Sequence, residues 1–223
     1  MVLAAKIFKI RKPVDFDLII EKLSDYREEY VEDDLTLITN FEDFRFLGDE
    51  LRCKFLMDHL IQVNYRGKET KIPRTLESLV IFKEYEGIKY LLILERKRLA
   101  NFIANKISQA LFIKIGEVVE AKISHDALKI LHESNPKSSK VIFFDDVDIP
   151  NLDKLSLYGE DVSDTSLYNM YLEHGKIWYV VFEFKKYGYV VGLTRNCVIA
   201  MFSNIDQESF IQFIFKEILP IVE

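Results

Sequence analysis

The chain has 223 residues, 49% hydrophobic and 30% charged, enough to bury one large or two small cores and too apolar for a disordered chain. Its formal net charge of −6 is uneven: residues 1–115 carry 20 basic and 19 acidic side chains, residues 116–223 carry 10 and 17. That balance excludes a uniformly cationic, nucleic-acid-coating surface while leaving room for a local basic patch in the first half.

Apolar blocks such as YLLIL are strand-sized, far short of the roughly eighteen residues of a membrane helix. Lys6 interrupts the first apolar run, so the start does not read as a secretory signal. The expectation is a cytoplasmic chain with no membrane partner. Cys53 and Cys197 lie in separate apolar runs without CxxC spacing and read as buried, reduced thiols.

In chain order, Lys6–Arg11 alternates as a strand, and Pro13 ends it. Asp15 then caps a predicted helix reaching about Tyr30, with Phe16, Ile19, Ile20, Leu23 and Tyr26 on one face. Strands follow at 35–39 and 44–47, then a turn at Gly48-Asp49 and a long strand from Leu51 to Tyr65 with a bend near Asp58-His59. After a turn at Arg66-Gly67-Lys68, Pro73 marks an edge or loop. Leu79–Phe112 reads as strand, tight turn at Glu86-Gly87, strand and helix.

The second half reads in the same order. A strand at 117–123 precedes a helix capped by Ser124 and stopped by Asn135-Pro136. A strand at 141–144 is followed by an acidic loop, and paired strands 177–184 and 189–202 turn at Tyr187-Gly188. A last helix opens on a capping box of Asn204 with Gln207. The segment LSLYGED at 155–161 echoes FRFLGDE at 44–50.

The reading is therefore α+β: two β-α-β4-α units, 1–115 and 116–223, forming curved antiparallel sheet with helices on one face. This order resembles the duplicated saddle of TATA-binding proteins. The likeness is one of topology and carries no residue role.

Glu95 and Lys97, an ExK at a strand end, resemble part of the PD-(D/E)xK nuclease core, where Glu holds a divalent metal and Lys positions water. That chemistry needs a second carboxylate, and the preceding strand offers only Glu84 at its far end. His59, His125, His132 and His174 have no metal-ligand spacing, and Asp145, Asp146, Asp148 and Asp153 lack the pattern of a calcium loop. No cofactor is expected. Basic side chains cluster at Arg66, Lys68, Lys71 and Arg74 and at Arg96, Lys97 and Arg98, candidates for phosphate contact. Tyr168, Tyr171, Trp178, Tyr179, Phe182 and Phe184 are dense enough to place aromatics on both sheet faces, which suggests an interface. The expected function is a non-catalytic binding module meeting a protein or nucleic acid through an open sheet face, with a homodimer as one form. The alternatives are a metal-dependent nuclease and a carrier of small apolar ligands.

Overall fold

The structure is a computed structural model that describes residues 2–134 and 139–223. Among these residues the chain is α+β, with twelve strands and five α-helices built on antiparallel sheet. No helix among them is long and apolar enough to cross a membrane. The fold divides into two compact units, residues 8–119 and residues 120–223 together with the segment ending at Ile7. The division point falls inside the first strand, β1 (Leu3–Ile10).

The unit of residues 8–119 holds α1 (Phe16–Ser24), β2 (Arg27–Glu32), β3 (Leu35–Leu47), β4 (Glu50–Tyr65), β5 (Lys68–Tyr85), β6 (Ile88–Ile93) and α2 (Lys97–Phe112). Strands β2 to β6 pair in sequence order. The helix expected to reach Tyr30 ends at Ser24, because Arg27–Glu32 pairs with Asn40–Leu35 instead. Asp33 and Asp34 close that hairpin with φ of 50° and 62°, the double left-handed geometry of a type I′ turn. The expected strands 35–39 and 44–47 are one strand with a bulge between Glu42 and Arg45, where Asp43 has φ 58°.

No bend interrupts β4 at Asp58-His59: its register with β5 is continuous from Glu50↔Lys83 to Tyr65↔Lys68. Pro73 sits inside β5, where the pairing with β6 has not yet begun, so its missing N–H falls on an edge. Alternate residues of the strands (Phe41, Phe55, Val80, Phe82, Leu91) meet Ile19 and Leu23 of α1 and Ala100, Ile103 and Ile107 of α2 in one core.

Strand β7 (Val118–Glu120) crosses the division point, and the second unit holds α3 (His125–Glu133), β8 (Ser139–Asp145), β9 (Leu155–Tyr158), α4 (Ser166–His174), β10 (Lys176–Phe184), β11 (Tyr189–Thr194), β12 (Val198–Met201) and α5 (Gln207–Phe213). Its strand order is β1-β12-β11-β10-β8-β9, with Leu3↔Met201 through Lys6↔Val198 joining the chain's first strand to β12. The strand expected at 189–202 is two, because the chain reverses before Cys197 (φ 53°) and β12 returns to pair with β11. Helix α4 was not expected; Thr165 caps it by accepting from Tyr168 N. The last helix is capped by Asp206, which accepts from Ser209 N at 2.9 Å, rather than by Asn204. The helix stop read at Asn135-Pro136 lies outside the described residues.

Candidate functional site

Adjacent residues of a strand face opposite ways, so the two-phenylalanine run Phe143-Phe144 must split between faces. Phe144 meets Tyr168 and Tyr171 of α4, and Phe184 meets Phe213 of α5, so helices cover that side. On the other side Phe143 lies 5.8 Å from Tyr158, 5.6 Å from Trp178 and 5.4 Å from Tyr179, ring centroid to centroid. Lys154 Nζ stands 5.4 Å from the Trp178 ring. Tyr158 is 68% exposed and Phe202 49% exposed, so part of this aromatic surface meets solvent. Desolvation raises the Tyr179 hydroxyl above its ordinary range, with the nearby Tyr158 adding to it.

Gly192 makes the packing possible. A Cβ there would sit 2.6 Å from the Tyr179 hydroxyl and 3.0 Å from Phe202 Cε2, so only glycine lets both rings close over the strand. A register shift between Ile177 and Tyr179 in the pairing with β8 frees Trp178 to turn its ring beside Phe143. Its Nε1 is sheltered from solvent without a hydrogen-bond partner.

The six aromatics singled out in the sequence therefore separate. Tyr168 and Phe182 are buried core, Tyr171 packs from α4 onto Phe144, Phe184 packs toward α5, and Trp178 and Tyr179 belong to the open face. Sequence reasoning missed Phe143, Tyr158 and Phe202. The signal for Phe143 was present in the FF pair; the others depend on pairing partners that the sequence does not state.

The predicted basic residues of the first unit also separate. From Asp58↔Thr75 to Tyr65↔Lys68, β4 and β5 pair only with each other, a two-stranded ribbon ending in the turn Arg66-Gly67. Lys71 faces one side and is ion-paired with Asp33 at 2.7 Å. By the same alternation Lys68 and Arg74 face the other side, and Arg66 lies 5.7 Å from the Tyr65 ring at the tip. Arg96 is the N-cap residue of α2 and Lys97 and Arg98 open its first turn, all exposed.

Glu95 Oε1 accepts from Ser78 Oγ at 2.9 Å. Glu84 lies toward the opposite end of the β5–β6 ladder, which runs from Val80↔Ile93 to Tyr85↔Ile88, so the fold does not bring the two carboxylates together. In the acidic loop, Asp145 is held by Arg195 at 2.8 Å, Asp146 by Lys176 at 3.6 Å and Asp148 by His174 at 2.8 Å. His125 Nδ1 accepts from Ile177 N at 2.7 Å, and burial lowers its pKa. Among the described residues no three His, Cys, Asp or Glu side chains are placed to hold a metal ion. Both cysteines are buried, their thiols pushed well above the ordinary range by desolvation. The chain matches no protein-family model and no curated protein in sequence.

Proposed function

We propose that the chain is a non-catalytic binding module that pairs with a second protein surface, a second copy of itself, through the aromatic side of the β8–β10–β11 sheet. The observation carrying this reading is the partly exposed group Phe143, Tyr158, Trp178 and Tyr179 on the face away from α4 and α5. Interfaces favour such rigid aromatic side chains, and Tyr and Trp dominate their energetics. The excess of acidic over basic residues in the second half disfavours nucleic acid at this face. A duplicated origin for the two units is supported by their shared helix–antiparallel strands–helix order, with α4 as an addition.

The test is sedimentation velocity over a concentration series, with the fluorescence of Trp178, the chain's single tryptophan, read in parallel. Self-association that Tyr158→Ser with Phe202→Ser weakens at least tenfold, with a shift in Trp178 emission on association, supports the reading. A monomer at every concentration, or association indifferent to both substitutions, sinks it.

A further inference from the structure

Residues of β4 and β5 that share the helix-covered side alternate along the ribbon. Met57 and Leu76 end the core on that side, where Leu99 of α2 also packs. The next rung outward is His59 with Arg74, then Ile61 with Ile72, Val63 with Thr70, and Tyr65 with Lys68. The N-terminus of α2 stands at the ribbon's base: Leu94 N donates to Leu79 O at 3.0 Å, and Ser78 holds Glu95. Arg96, Lys97 and Arg98 thus lie where this rung series begins.

Charge divides cleanly between the ribbon's two sides. Its acids, Asp58 and Glu69, alternate onto the opposite side. Both are internally satisfied, Asp58 by Ile38 N and Thr75 Oγ1 and Glu69 by Gln62 Nε2. Lys71, also on that side, is spent on Asp33. Among the described residues none of Arg66, Lys68, Arg74, Arg96, Lys97 and Arg98 is ion-paired, whereas Lys54, Lys83 and Lys106 of the same unit all are. His59 Nδ1, sheltered and without a hydrogen-bond partner, faces Arg74 across the ribbon. One cation at the N-cap and two in the first turn therefore gather at a helix end whose positive dipole adds to their potential.

We propose that this side of the β4–β5 ribbon, with the α2 N-terminus at its base, is a binding site for duplex nucleic acid. A two-stranded ribbon about 5 Å wide between strand axes and eight residues long, roughly 27 Å, fits a groove about 12 Å wide. Arg66 and Lys68 at the tip enter the groove, while Arg74 and Arg96–Arg98 meet the phosphates on one bank. The site is independent of the aromatic face, and neither proposal needs the other.

Fluorescence anisotropy of a labelled 24-base-pair duplex, titrated with the full chain from about 50 to 200 mM salt, tests it. Binding should weaken with salt. Arg66→Gln/Lys68→Gln/Arg74→Gln should lose at least thirtyfold in affinity and lower the log–log salt slope by about 3. Arg96→Gln/Lys97→Gln/Arg98→Gln should do the same in part, and Lys71→Gln should stay within twofold of wild type. All seven positions are exposed, and unchanged thermal unfolding keeps a binding loss interpretable. Should the first triple variant unfold, the α2 variant and Lys71→Gln still decide the matter by their difference. No binding at the lowest salt, equal losses from Lys71→Gln and the ribbon triple, or single strands bound as tightly as duplex would each overturn the proposal.

Discussion

His132 is buried in α3 with its ring 5.0 Å from that of Tyr168, and desolvation lowers its pKa to about 4 against a smaller raising effect of Glu133. Between about pH 6.5 and 4 the unfolded chain therefore binds a proton that the folded chain refuses, so stability falls as pH falls through that window. The loss amounts to about 3 kcal/mol at most for a shift of this size. His132→Leu should flatten most of the difference between urea midpoints measured at pH 7 and pH 4.5; an unchanged difference would assign the acid sensitivity elsewhere. His125, whose pKa burial also lowers, contributes a smaller slope of the same sign. Lys6 shows the limit of reading single residues from sequence. Strand alternation casts it as an outward polar residue, yet its side chain is fully buried and ion-paired with Glu120, which only the folded chain brings near.

Helix α2 departs from the charge pattern that stabilises a helix. Its N-cap is Arg96, which makes no side-chain capping bond, and its first turn holds no acid. Arg96 already has the extended backbone an N-cap requires, with φ −65° and ψ 152°. Arg96→Ser should therefore stabilise the chain by about 1 kcal/mol in chemical denaturation. It should also weaken duplex binding several-fold. Gain in stability without loss of binding would remove Arg96 from the proposed site. Where elements were misread, local signals competed. The apolar spacing of α1 continues through Tyr26, but the left-handed Asp33-Asp34 turn draws Arg27–Glu32 into a hairpin instead. Pro73 was rightly an edge signal, though it sits within a long strand rather than ending one. The basic ribbon was legible as a cluster around Arg66-Gly67. Which cations share a side was not, since Lys71 and Lys68 separate only once the β4–β5 register is known.

At the scale of the molecule, periodicity was enough to give the α+β class, the antiparallel strands and most core stripes. It did not reveal α4, whose Leu167 and Met170 stay exposed and leave little amphipathic contrast. Nor could it foresee that β1 serves the second unit, because strand partners 192 to 198 residues apart carry no local mark (Leu3 pairs with Met201 and Lys6 with Val198). That pairing has a consequence for folding. Residues 8–119 form a contiguous unit with its own core, whereas residues 120–223 leave β12 without one of its two neighbours unless Leu3–Lys6 is supplied. An unpaired edge exposes a row of backbone donors and acceptors and invites aggregation. Expressed alone, 8–119 should unfold cooperatively in urea. The piece 120–223 should aggregate or stay molten, and fusing residues 1–7 through a flexible linker should restore sharp near-ultraviolet signals from Trp178. A well-folded 120–223 without that segment would show that β1 is dispensable to the unit it completes.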